Sequence, residues 1–214
     1  MMRLTKIWVG LVLSLFLVVP AFAVPIIDLG TGNAGPSGTV IVSEGNVIGT
    51  DIFIDSLNVS GAALNNGNYN LTGYGKTTKE NDPDETAALL NFDTSTKTFS
   101  IVGGVPGLGI PDGTALLTGT ITSFSFTQTD FSLMLLGQGS DTKSPLLMAA
   151  LGETGTSFYF EGFSISANTK GTGSPYVATG SDFQNVAKVP ESGILILLGI
   201  SMASLAGLRR WLRK

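Results

Sequence analysis

Between about residue 39 and residue 166, apolar and polar side chains repeatedly alternate with a period of two. Phe99 and Ile101 fall on one face of an extended segment and Thr98 and Ser100 on the other, while Phe124 and Phe126 oppose Ser123, Ser125 and Thr127. This is the pattern of strands with one buried and one wet face. Strands are therefore expected at 39–42, 47–54, 57–60, 69–72, 87–93, 98–102, 114–127, 131–136 and 157–166, separated by turn-forming Gly, Asn, Ser and Thr. From Phe158 to Ile165 the apolar phase flips around Gly162, as a β-bulge carrying a glycine would make it. Asp93-Thr94-Ser95-Thr96-Lys97 reads as a hairpin loop. One stretch has helix signals: Ser144 as N-cap, Pro145 at the first helical position and Gly152 at the far end, although its apolar run reads equally as a buried strand. Together these elements predict an all-β domain over 24–166, an antiparallel two-sheet β-sandwich of jelly-roll type. Residues 167–188 read as a linker.

The pattern changes at both ends. Arg3 and Lys6 precede thirteen uncharged residues, 7–19, followed by Ala21-Phe22-Ala23. Thirteen residues reach only about 20 Å as a helix, short of the roughly 30 Å hydrocarbon layer. Basic start, short apolar core and small residues at Ala21 and Ala23 make 1–23 a secretory signal peptide cleaved after Ala23. At the other end, Val189-Pro190-Glu191-Ser192 leads into an apolar run over 193–208, and Arg209, Arg210, Trp211, Leu212, Arg213 and Lys214 follow. The seventeen uncharged residues from Ser192 to Leu208 are at the lower limit for a transmembrane helix. The basic cluster behind them sets the tail in the cytoplasm and the domain outside.

A tetrapeptide of the Val-Pro-Glu-Pro type, a short apolar helix and a closing arginine cluster together resemble the PEP-CTERM sorting signal of exported bacterial proteins. Val189, Pro190 and Glu191 match the motif, 193–208 the helix, and Arg209, Arg210 and Arg213 the basic tail, with Lys214 beside them. Ser192 stands where the second proline usually is. The resemblance implies recognition and cleavage by an exosortase, an integral-membrane cysteine protease or transpeptidase of Gram-negative bacteria that make exopolysaccharide, after export by the Sec machinery. It covers 189–214 and carries no implication for the domain in front. A bare tail anchor without processing is the simpler alternative.

Composition narrows the chemistry of that domain. The chain has no cysteine and no histidine, which excludes disulfides, Cys or His metal sites and His-activated nucleophiles. Residues 24–188 hold ten Asp, five Glu, six Lys and no Arg, a net charge of −9, and such a surface repels nucleic acid. The acids at Asp82, Asp84 and Glu85 lack the order of a calcium loop and read as a solvated turn. Asp51 and Asp55 flank Phe53 on what reads as a wet sheet face. Gly103, Gly104, Gly107 and Gly109 carry no lysine and precede a strand, so they read as a flexible surface loop and not as a phosphate cradle. Tyr159 and Tyr176 are the candidate exposed rings for stacking on sugar. The expectation is a non-enzymatic envelope or exopolysaccharide-associated structural protein without a cofactor. A carbohydrate-binding module and a carboxylate-based hydrolase are the other two classes, both weakened by the absence of tryptophan from 24–188.

Overall fold

The computed structural model describes residues 24–32, 35–73, 75–76, 86–169 and 174–188. Their strands are Ile26–Gly30 (β1), Ser37–Ser43 (β2), Asn46–Ile54 (β3), Ser56–Ser60 (β4), Gly67–Asn70 (β5), Gly75–Lys76 (β6), Thr86–Asp93 (β7), Thr98–Val105 (β8), Ile110–Gln128 (β9), Ser132–Lys143 (β10), Phe158–Asn168 (β11) and Tyr176–Ala187 (β12). A short helix, Pro145–Ala150 (α1), follows β10, with Ser144 as N-cap and the left-handed Gly152 two residues beyond its end.

From β7 to β12 each strand pairs antiparallel with the next. The other edge of β12 then meets the start of the chain: Asp182 to Val186 pair with β1, and Tyr176 and Ala178 with β2. β1 and β2 act as one interrupted stave. β3 and β4 act as another, broken only at Asp55, and pair with β2 and β1 respectively. β3 continues onto β7 and β4 onto β5, and Thr72 bridges Gly104 below the β7–β8 pairing. Eight antiparallel staves thus close into a barrel, with β6 as an extra short strand on β7.

This corrects the two-sheet sandwich. A sandwich and a meander barrel share the same period-two strands and short connections, and they differ only in whether the sheet finds its own edge. The closing strands are the two that the sequence pattern passed over. β1 is short, and β12 lies in 167–188, where a linker was expected. On β12 the inner face carries Tyr176 and Phe183 but also Ala178, Ser181, Asn185 and Ala187, so small and polar residues dilute its hydrophobic alternation. The expected bulge at Gly162 is present, as a register shift between Phe160 and Gly162. So is the hairpin loop after Asp93, whose Oδ1 accepts from Ser95 N at 2.7 Å. The 103–109 segment is not a loose loop: Gly103 to Val105 complete β8, and a single 3-10 turn, Pro106–Leu108, joins it to β9.

An eight-stranded barrel is just wide enough for side chains to fill it, and phenylalanines fill this one. Phe92, Phe99, Phe160, Phe163 and Phe183 form a continuous cluster, with Phe163 on Phe183 at 5.1 Å and 7° and Phe99 on Phe160 at 5.4 Å and 25°. Three of these rings lie directly across a strand pair from a glycine: Phe92 from Gly49, Phe99 from Gly119, and Phe163 from Gly137. A β-carbon at any of the three glycines would run into the facing ring. The glycines therefore let large rings lie flat against the wall. Each buried ring contributes about 1.5–3 kcal/mol, and each aromatic pair a further ~0.5–1.5 kcal/mol.

Towards the end where β12 finishes, here the base, the interior changes character. Lys143, Asp141 and Asn185 form a buried polar island against Phe158. α1 packs on β9 at this end, where Leu116, Leu147 and Leu151 are fully buried. It is tied to the β4–β5 connection by Leu64 N to Leu151 O at 2.9 Å and Ala63 N to Glu153 Oε1 at 2.8 Å.

At Gly49 every close neighbour of an added β-carbon is a Phe92 ring atom. Gly49→Ala should therefore destabilise the barrel by about 1–3 kcal/mol through overpacking, and the same change in a Phe92→Leu background should cost clearly less. Urea unfolding of the four chains in this cycle measures both effects. Equal costs in the two backgrounds would show that the ring does not occupy the space above Gly49.

Candidate functional site

The outer wall over β9 to β12 has three irregularities, the register shift at Gln138/Gly139, the bulge at Gly162 and a shift at Ser166/Ala167, of which the first two concern the site. Between those two lies an open hollow of about 540 Å³. Its polar lining includes Ser123, Ser125, Gln138, Glu161, Ser164 and Gln184, with Leu136 as an exposed apolar contact and Asp182 on one side. The side chains converge because period-two strands send every second residue outward, and the outward set here is short and hydroxylated. The lining offers hydroxyls, two amides and carboxylates, and no cation. That surface suits a neutral polyhydroxylated ligand and repels an anion.

Beside the hollow, Asp28 on β1 lies across from Gln184 and diagonal to Asp182 on β12. Burial, a hydrogen bond to Asp182 and the charge of Asp182 together push the Asp28 carboxyl up to about 7. The protonated Asp28 donates to the Asp182 carboxylate. Two carboxyls in direct contact, open to solvent, do not flank a scissile bond at the 5–10 Å that glycoside hydrolysis requires. Among the described residues no three acidic groups are placed to hold a metal ion.

The sequence-derived site residues fare differently from one another. The sorting motif Val189, Pro190, Glu191 and Ser192, the basic residues Arg209, Arg210, Arg213 and Lys214, and the cleavage pair Ala21 and Ala23 lie outside the described residues, as do Asp82, Asp84 and Glu85. Among the described residues no helix is long and apolar enough to cross a membrane, and 193–208 lies beyond them. Tyr159 is exposed as expected, at 61%. Tyr176 is not a surface ring: it is fully buried, donating its hydroxyl to Thr129 O at 2.8 Å and accepting from Gln128 Nε2 at 2.9 Å. Asp51 is exposed, but Asp55 is buried at the β3–β4 break, where its Oδ1 accepts from Gly32 N.

Sequence reasoning missed the Asp28–Asp182 pair, because both residues sit on the strands it left out. It also missed Asp141 and Lys143, although an i, i+2 acid–base pair in an extended segment places both on one face. The chain matches no protein-family profile, no curated protein and no solved structure.

A carboxyl pushed up by its folded surroundings makes the native state bind more protons than the unfolded chain between about pH 4 and pH 7. Stability should therefore fall as pH rises through that window, by roughly 1–2 kcal/mol once solvent screening of this half-exposed pair is allowed for. Asp28→Asn should flatten that part of the profile and raise the melting temperature at pH 8. Thermal melts of both chains from pH 4 to 8 test this, and parallel profiles would rule out the shared proton.

Proposed function

We propose that this chain is an exported cell-envelope protein with a structural role, whose β-barrel is carried outward behind a signal peptide at 1–23 and handled at the membrane through a PEP-CTERM-like segment at 189–214. The observation that carries the reading is where the two ends of the barrel lie. Ala187 N bonds Pro25 O at 2.8 Å, and Lys188 N bonds Ser157 O at 2.7 Å. The N-terminal and C-terminal segments therefore leave the same base side by side, and the Val189–Ser192 motif begins one residue after the last strand-tied amide.

Exposed apolar or aromatic side chains are found at the base, at Val24, Leu64, Leu146 and Tyr159, and equally elsewhere, at Ile41, Phe131, Met134 and Leu136, so they do not single out a membrane-facing end. One sequence feature supports the reading. Pro190 biases its approach towards extended backbone and removes a donor, which leaves a peptidase an unpaired strand beside the bilayer. On this reading the exosortase works against the barrel base itself, with no long tether between substrate motif and fold. The barrel is cargo, and its acidic outer wall faces the extracellular matrix.

A carbohydrate-binding role has one observation in its favour, the hydroxyl and amide lining of the hollow on β9 to β12. If host exopolysaccharide docks there, Gln184→Ala should reduce its retention on the full-length protein at least several-fold, as measured in a pull-down. Undiminished retention would remove the hollow from consideration.

The sorting reading is tested by the intact mass of the protein recovered from its native host. The expected product starts at Val24 and ends within 189–192. Mass extending to Lys214 would make the tail a plain anchor and overturn processing.

A further inference from the structure

The polar island at the base of the barrel has features that a structural ion pair does not need. Lys143 Nζ donates to Asp141 Oδ1 at 2.8 Å and Oδ2 at 3.1 Å, and to Asn185 Oδ1 at 2.9 Å. The Lys143 and Asp141 side chains are 5% and 2% exposed, Asn185 is wholly buried, and the Phe158 ring covers the amine at 4.9 Å. Asn185 Nδ2, also buried, has no hydrogen-bond partner among the described residues. An unpaired amide nitrogen in such a place costs about 1–3 kcal/mol, and a buried ion pair gains little over an apolar replacement.

We propose that Lys143 and Asn185 join covalently, as an intramolecular amide between Lys143 Nζ and Asn185 Cγ formed by the protein itself with Asp141 as proton carrier. The amine is within about 4 Å of Asn185 Cγ, since it is 2.9 Å from Oδ1 and a C=O bond is ~1.2 Å. Fixed neighbours at that distance make an otherwise slow amide exchange effectively unimolecular.

The balance is simple. One proton passes from the Lys143 ammonium to the Asp141 carboxylate, leaving a neutral amine with a free electron pair. Burial favours this transfer by holding the lysine below its ordinary range, against the opposing pull of Asp141. The electron pair adds to Asn185 Cγ, and the carbonyl oxygen takes up the charge with the Asp141 proton as donor. The Nζ–Cγ bond forms and the Cγ–Nδ2 bond breaks. Nδ2 takes a proton from Nζ and leaves as neutral ammonia, while Asp141 keeps the proton it took from Lys143 and donates it in a hydrogen bond to the new amide oxygen, so no unpaired charge stays buried. Nothing is oxidised or reduced, and no co-reactant is required.

The product removes both liabilities of the island, the buried cation and the unpaired Nδ2. It also has a mechanical consequence. β10 and β12 are separated by β11, which pairs with both, so the bond would staple two staves across a third. It does so near Lys188, where force applied through a C-terminal tether would enter the barrel.

Tryptic digestion and tandem mass spectrometry of the full-length protein test the proposal. The expected result is a branched peptide joining Lys143 to Asn185, lighter than its parts by one ammonia, with no cleavage after Lys143. Asp141→Asn, which keeps the shape of the side chain, should leave the chain unlinked and at full mass. An unmodified wild-type Lys143 that trypsin cuts normally would overturn the proposal, as would an ammonia loss that maps to a cyclised Asn185 without a branch. A linked Asp141→Asn chain would overturn the role of Asp141.

Discussion

A meander of eight staves must end in two open edges unless its last strand finds its first, and here β12 does so. It hydrogen-bonds to β11 along one edge and to β1 and β2 along the other. Without it the sheet would expose two rows of unpaired donors and acceptors, a template for aggregation. Everything else about the molecule assumes closure. The phenylalanine cluster is an interior only because the wall is continuous, and Tyr176 and Asn185, both on β12, are buried only because that strand is in place.

Closure also fixes the division of chemistry between the two faces of the wall. Inward positions carry rings opposed by glycines, an arrangement that fits a narrow barrel because a ring needs the room that a β-carbon would take. Outward positions on β9 to β11 are mostly Ser, Thr and Gln, and the bulges that bend those strands shape the hollow. The polar island is the exception inside. It sits at the base, where Lys143, Asp141 and Asn185 are almost wholly buried and the Phe158 ring covers the amine, so its groups interact with one another and not with solvent.

The base is where fold and proposed role meet. Antiparallel pairing of β1 with β12 brings the first and last described residues to one end, so the segments before residue 24 and after residue 188 attach to a single small surface. A cross-link from β10 to β12 at that end would place the strongest part of the wall next to the point of attachment.

By itself the sequence determined the strands with strong period-two contrast, the bulge at Gly162 and the loop after Asp93, because these follow from local side-chain alternation and turn chemistry. The short helix had its Ser-Pro start and Gly end in the sequence, but its apolar run read equally as a buried strand, and the structure decided for helix. The sequence also supplied the absence of thiol and imidazole chemistry and the two terminal segments that suggest a route out of the cell. Only the tertiary structure decided that the sheet closes, since closure depends on pairing between residues more than a hundred positions apart, and β12 carries too little hydrophobic contrast to announce itself. That long-range pairing buried Tyr176 and brought Asp28 to Asp182, while pairing over shorter separations buried Asp55 and set Lys143 on β10 against Asn185 on β12. Those contacts come from strand register across the barrel, which no local pattern encodes.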